Sequence, residues 1–408
     1  MAEAAAVGGP HLPDEIVTWE ILIRLPPKPL LRCRAVCCSW HRRLTSDSKF
    51  LLAHHRRQPS LPLVTTGETH ERRIDALDHC TREQRPVART ATAGDLDVLA
   101  SCDGLLILVA YGGLHICNPA TGQRAPLPLL HAACISGLYP HRPSGSYRVL
   151  CCLKRAEDGR AVYHVHTVGS GELRCVGQPL DPWASGHQVH ALPMMLSWHP
   201  LVLADGRFYW HPVHLPGGSG KVNDMLVFDT VAESFQHMIS PVEGPLLELF
   251  EMNDTLGLYA FRGSTADLWV LQDHHSWAWS MKHRIKLQVA AFSLVPDIQG
   301  DLLLLSRKRK TGIQWQYLQY ISGADGSLSK RYEWSVFLNL KKHRFRESLV
   351  PHSFFLMDGN NGGGVDGKPL FDGLSTVAVL PDDNSSFTKE PVMDKSGESS
   401  QEPSQSEW

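Results

Sequence analysis

Leu114-His115-Ile116-Cys117-Asn118-Pro119-Ala120-Thr121-Gly122 decides how this chain is read: an apolar strand, then a turn rich in Asn, Pro and Gly. The same layout returns at Val162-Tyr163-His164-Val165-His166-Thr167-Val168-Gly169-Ser170-Gly171 and Met225-Leu226-Val227-Phe228-Asp229-Thr230. It returns again at Leu268-Trp269-Val270-Leu271-Gln272-Asp273 and Tyr317-Leu318-Gln319-Tyr320-Ile321-Ser322-Gly323. Anchored on Asn118, Thr167, Asp229, Gln272 and Ser322, the units recur at intervals of roughly 50 residues, near the kelch period. A further strand precedes most of these units: Gly104 to Val109, Tyr147 to Leu153, Arg207 to His211, Thr255 to Phe261 and Asp301 to Ser306. Short strands at this spacing, with no convincing helix between them, predict an all-β propeller rather than a sandwich. Divergent flanks at residues 61–100 and 345–380 extend the expectation to about six or seven blades.

Outward from the repeats the chain changes character. Residues 1–10 are small and aperiodic, a frayed tail, and residues 381–408 are Ser-, Glu- and Pro-rich, too polar to offset their ordering entropy. Residues 11–56 carry helical periodicity, and residues 57–100 read as a linker with the first divergent strands ahead of the propeller at 101–380. Pro13, Asp14 and Glu15 open a first helix over Ile16 to Leu25, which Pro26-Pro27 stops. Cys33, Val36, Cys37, Trp40 and Leu44 then mark one face of a second helix, and a third starts at Ser46 or Asp47, with Phe50 and His54 in step. The whole is α+β and multidomain: a small three-helix unit, then an all-β propeller-like body. A helical unit of this size buries too little surface to be stable alone and completes its core against a partner.

Leu12-Pro13-Asp14-Glu15-Ile16, Ile21 to Pro26, Lys28-Pro29-Leu30-Leu31-Arg32-Cys33-Arg34-Ala35-Val36-Cys37 and Ser39-Trp40 closely resemble the F-box. Cys38, Trp19 and Ser48 depart from its usual pattern but leave the Leu-Pro opening and the Leu-Leu-Arg turn intact. The resemblance implies docking on a Skp1-like protein and, through it, a cullin. Its Skp1-facing set would be Leu12, Pro13, Ile16, Ile21, Leu22, Leu25, Pro26, Leu30, Leu31, Val36 and Trp40. In the body, Ser101-Cys102-Asp103-Gly104-Leu105-Leu106 with Cys117 to Gly122, and Asp267 to Asp273 with Trp277 and Trp279, look like the F-box-associated domain of plant F-box proteins. That resemblance implies a non-catalytic adaptor that recruits an unidentified protein substrate for ubiquitination. The alternatives are a Skp1-bound regulator that degrades nothing, and a propeller enzyme or ligand-binding protein.

Composition narrows the partners. Forty Lys and Arg against 42 Asp and Glu, a formal charge of −2, leave no electrostatic footprint for nucleic-acid binding. The start lacks the basic and apolar regions of a signal peptide, and runs such as Leu105 to Tyr111 fall short of the ~18 residues a membrane span needs. All ten cysteines lie between Cys33 and Cys175, read as thiols in a reducing cytoplasmic or nuclear compartment.

Other motifs are incomplete. Cys33, Cys37, Cys38 and His41 lack a CxxC pair and a second pair at finger spacing, so no metal or other cofactor is expected. Gly217-Gly218-Ser219-Gly220-Lys221 lacks the first Gly and the final hydroxyl of a phosphate loop, with Leu215 and Val222 in those places. Ser101-Cys102-Asp103-Gly104 is out of step with a sialidase turn and reads as a turn between blades. Neither His54-His55 nor His274-His275 has a carboxylate at ligand spacing, Arg307-Lys308-Arg309-Lys310 reads as a basic hairpin tip or a nuclear signal, and Trp269, Trp277, Trp279, Trp315 and Trp334 are expected between blades.

Overall fold

The computed structural model describes residues 12–66, 72–78, 83–90, 96–110, 112–155, 161–177, 201–211, 224–243, 247–286, 293–296, 302–310, 313–322, 327–334, 338–355 and 374–376. Among these residues no helix is long and apolar enough to cross a membrane. Gly217 to Lys221 and the tails at 1–10 and 381–408 lie outside the described residues.

The chain opens with four short helices rather than three. Helix α1 (Asp14–Ile16) starts behind Pro13 and runs into a π turn (Val17–Ile21) and a 3-10 turn (Leu22–Arg24), in place of the regular helix expected from Ile16 to Leu25. Pro27, fixed at the φ a helix needs, opens α2 (Pro27–Arg32). The single helix expected from Cys33 to Leu44 is broken. Cys37 is extended (φ −158°, ψ 164°), and its thiol accepts the Trp40 N–H at 3.5 Å, capping α3 (Cys38–Ser46). Asp47 caps α4 (Ser48–Arg57) by accepting the Phe50 N–H at 3.1 Å, where a third helix was expected to start.

The body begins with β1 (Leu61–Thr66), β2 (Arg73–Asp78) and β3 (Glu83–Thr90). Five antiparallel four-stranded blades follow, each made of consecutive strands. Blade 1 is β4 (Leu96–Cys102), β5 (Leu105–Ala110), β6 (Gly113–Asn118) and β7 (Gln123–Pro126). Blade 2 is β8 (Cys134–His141), β9 (Ser146–Lys154), β10 (Ala161–Thr167) and β11 (Leu173–Gly177). Blade 3 is β12 (Val202–Ala204), β13 (Arg207–Tyr209), β14 (Asp224–Asp229) and β15 (Ser234–Ile239). Blade 4 is β16 (Leu247–Met252), β17 (Thr255–Arg262), β18 (Thr265–Asp273) and β19 (Ala278–Lys286). Blade 5 is β20 (Ser293–Pro296), β21 (Leu302–Lys310), β22 (Ile313–Ile321) and β23 (Leu328–Trp334).

Among the described residues, blades of consecutive strands number five, not six or seven. The flanks that suggested more pair with each other: β24 (Leu338–Phe345) joins β1 and β25 (Leu374–Thr376) joins β3, in one composite sheet ordered β24-β1-β2-β3-β25. Because β24 also touches β20 and β4, this sheet sits between the last blade and the first and closes the ring. Closure covers the apolar sheet faces that the end blades of a linear array would expose.

Apolar runs show why the sheets stack. Along β5, Leu105 and Ile107 pack toward blade 2, whereas Leu106 and Leu108 pack toward the composite sheet. A strand buried on both faces needs a continuous apolar run, not an alternating one. Trp269, Trp277 and Trp279 lie half-buried against the core between blades 3 and 4, as expected; the Trp315 and Trp334 side chains lie outside the described residues. The turns Asp103-Gly104, Asp205-Gly206 and Asn253-Asp254 link first to second strands, with both residues at positive φ as type I′ hairpins require. Asp103-Gly104 thus lies within blade 1, not between blades. Arg307 to Lys310 form the end of β21 beside the hairpin to β22.

Candidate functional site: the helical face and its joint with the propeller

The eleven residues singled out on the helices split into three groups. Leu12, Ile16, Ile21 and Val36 are exposed (58%, 44%, 44% and 63%), as are Pro13 and Pro26. Leu25, Leu31 and Trp40 are half-buried, and Leu22 and Leu30 are fully buried at 1% and 0%. Those two leucines join Ile23, Leu44, Phe50 and Leu51 in a core that also takes in Ala120 of blade 1 and Leu349. The helical unit therefore completes its core against the propeller of its own chain, while Leu12, Ile16, Ile21 and Val36 stay in solvent. Large exposed apolar side chains grouped on one small module mark an interaction surface.

The segment leaving β24, residues 346–355, runs between the helices and the blades. His55 Nδ1–H donates to the Glu347 carbonyl at 2.9 Å, and Asn118 Nδ2–H donates to the Ser348 carbonyl at 3.0 Å. A Cβ at Gly104 would collide with the Ser348 Cβ and the Arg346 carbonyl, and one at Gly169 would lie 2.7 Å from the Phe354 Cβ. Sequence reading missed this strap, because Asn118 and Gly104 read as turn residues and not as sites of close approach.

At the joint, His55 Nε2 lies 3.7 Å from Asp103 Oδ1, while the Tyr147 hydroxyl donates to Asp103 Oδ2 at 3.0 Å. Burial would raise the Asp103 carboxyl, but His55, Tyr147 and Cys102 hold it below the usual carboxylate range. Burial also lowers His352 to about 4, its ring packed edge-on to Tyr147 (5.1 Å) and stacked with Phe354 (5.2 Å). Burial lowers His54, whose Nε2–H reaches the Leu25 carbonyl at 2.8 Å.

Inside the ring, the first strands of blades 1 to 4 and β24 line a cavity of about 170 Å³, with Glu248, Glu251, His343 and Arg344 in its wall. His211 Nε2 accepts the Leu249 N–H there at 3.0 Å and lies 3.3 Å from Glu248. Among the described residues no group of three or more His, Cys, Asp or Glu side chains is placed to hold a metal. His274 Nδ1 sits 3.1 Å from Asp205 Oδ2, joining blades 4 and 3.

Comparison with known proteins agrees with this division. Residues 10–52 match the F-box domain, and residues 64–299 match the F-box associated beta propeller domain. F-box protein At5g49610 of Arabidopsis thaliana is 21% identical over 380 residues, spanning 84% of this chain and 98% of that one. Putative F-box only protein 11 of the same plant is 26% identical, over 51% of this chain and 54% of its own. Of solved structures, TolB from Acinetobacter baumannii aligns at 12% identity and TM-score 0.41 over 74% of this chain and 69% of that one, too distant to inform function. The propeller match alone covers more than half of the sequence, and the chain belongs to the F-box associated beta propeller domain family, with an F-box ahead of the propeller.

Proposed function

We propose that this protein is a substrate-recognition adaptor of a Skp1–cullin–F-box ubiquitin ligase. Its F-box would dock on a Skp1-like protein, and its propeller would recruit the protein to be ubiquitinated. Such an adaptor performs no covalent chemistry; it raises the effective concentration of substrate beside the charged ubiquitin carrier. The observation that carries this reading is the solvent exposure of Leu12, Ile16, Ile21 and Val36 on a module whose other face is already rooted in the propeller. Burying each such side chain in a partner would contribute ~1.5–3 kcal/mol. Within the set that the F-box resemblance assigns to Skp1, Leu22 and Leu30 are given to the internal core and the exposed residues to the partner.

The test uses Ile16→Asp with Val36→Asp, both at exposed positions. Carboxylates there leave the core intact but carry a desolvation cost in any interface. The double variant should keep the wild-type circular dichroism and thermal midpoint while losing co-purification with a Skp1-like protein. Wild-type recovery of that protein by the double variant would overturn the assignment. Leu30→Asp is the wrong variant for this purpose, because it places a charge inside the folded core.

A further inference from the structure

Blade 2 carries a pair of thiols in register. Cys134 on β8 and Cys152 on β9 are direct partners across the antiparallel ladder. Directly opposed residues project from the same face of a sheet, with Cβ atoms about 4.5–5.5 Å apart. Their Cα separation, about 4.5 or 5.5 Å according to the kind of ladder pair, falls inside the range a disulfide accepts. A second observation agrees: Cys134 packs against the core that holds Cys152, Tyr163 and Phe208, whereas the neighbouring Cys151 packs on the opposite face with Ile135. The half-buried Cys134 offers a point of entry, and the buried Cys152 stands behind it.

We propose that Cys134 and Cys152 form a reversible thiol–disulfide modification site, oxidised by a small disulfide of the glutathione class. The Cys134 thiolate attacks one sulfur of the oxidised tripeptide, breaking its S–S bond and forming a mixed disulfide while one glutathione thiolate leaves. The Cys152 thiolate then attacks the Cys134 sulfur, forming the cross-strand disulfide and expelling the second glutathione thiolate. Two protein thiols are oxidised, one glutathione disulfide is reduced to two thiols, and the two cysteine protons end on the leaving groups. The bond would staple the first strand of blade 2 to its second, at the end of their ladder away from the β8–β9 hairpin.

The test takes the full reduced chain, exposes it to glutathione disulfide, blocks remaining thiols with an alkylating agent and maps the peptides by mass spectrometry without reduction. A peptide pair linking Cys134 to Cys152 should appear and vanish on adding dithiothreitol. Cys152→Ser should abolish the linked pair and trap glutathione on Cys134, and Cys134→Ser should abolish the pair and leave Cys152 unmodified. Two results overturn the proposal: glutathione on the exposed Cys37 and Cys38 with no Cys134–Cys152 linkage, or Cys151 taking the place of Cys152 in the linked pair. Should Cys152→Ser fail to fold, Cys134→Ser at the half-buried position decides the matter alone, since a persisting Cys152 linkage would overturn it.

Discussion

His55, in the last turn of α4, hydrogen-bonds through Nδ1 to the backbone carbonyl of Glu347 at 2.9 Å, across 292 residues of sequence. This bond, with the Leu349 side chain packed among Leu22, Leu30 and Phe50, makes the F-box and propeller share one core. An adaptor of the kind proposed above would gain from such a joint, because rigid placement would fix where a recruited protein sits relative to the ligase.

A truncated chain beginning at Ser60 measures that joint. A closed propeller satisfies its own strand hydrogen bonds without the helices, but removing them uncovers Leu349, Val350 and Ala120 and leaves the Glu347 carbonyl without His55. The truncated chain should keep β-type circular dichroism, bind more of an apolar dye than the full chain, and unfold at lower denaturant. Equal unfolding midpoints for the two chains would show that the joint adds nothing to propeller stability.

Gly104→Ala probes the strap from the other side. Gly104 sits at φ +84°, and a Cβ would meet Ser348 and the Arg346 carbonyl. Left-handed backbone alone disfavours alanine by ~1 kcal/mol, and the collision adds to it. The variant should lose ~2 kcal/mol or more in urea unfolding, with faster hydrogen exchange at Glu347 to Leu349. Gly145→Ala, also at positive φ (67°) but with open space around it, should cost less. Equal losses in the two variants would remove the strap from the explanation.

How much of this was legible in the sequence follows from the distances involved. The five blades were visible because their second and third strands and their turns are local: Asn118 to Gly122 and Asp229-Thr230 carry their own turn chemistry. The composite sheet was not, because Leu61 pairs with Phe345 and no short-range pattern encodes a partner so far along the chain. Periodicity also joined Cys33 to Leu44 into one helix, although extended Cys37 interrupts it without disturbing the apolar spacing. The candidate docking residues were legible as apolar, but apolarity does not say who covers them. Leu30 is covered from within and Val36 is left to solvent.

Glu233 staples blade 3 to blade 2. Its carboxylate, only 7% exposed, receives the Tyr139 hydroxyl at 2.7 Å and the Arg148 and Arg174 guanidinium groups. Removing the carboxylate strands the largely buried Arg148 while the half-exposed Arg174 turns to water, at a cost toward the lower end of ~3–5 kcal/mol. Glu233→Ala should fall in that range by denaturant unfolding, and Glu233→Gln, which can still accept hydrogen bonds, should lose less. A Glu233→Ala variant within ~0.5 kcal/mol of wild type would mean the cluster contributes little beyond shape.

Acid sensitivity should be traceable to His352. Burial lowers its pKa from 6.5 to about 4, with Asp103 opposing that shift and His55 adding to it. The folded protein therefore holds the ring neutral where the unfolded chain has already taken up a proton. Stability contributed by the neutral ring is fully present above about pH 6.5 and is lost as pH falls toward about 4. For one group with this shift the loss is ~2 kcal/mol at pH 5. Asp103 acts lower on the scale: its depressed carboxyl stabilises the fold above the ordinary carboxylate range and loses that contribution as pH falls below it. The His352 Nε2 atom is buried with no hydrogen-bond partner among the described residues, so a phenyl ring can replace it while keeping the packing on Tyr147 and Phe354. His352→Phe should match or exceed wild-type stability at pH 7 and lose ~2 kcal/mol less than wild type between pH 7 and pH 5. His115 and His343, also lowered to about 4, leave the variant some residual acid limb. Urea unfolding at both pH values decides it: parallel declines in wild type and His352→Phe would show that the ring at the joint does not govern the acid response.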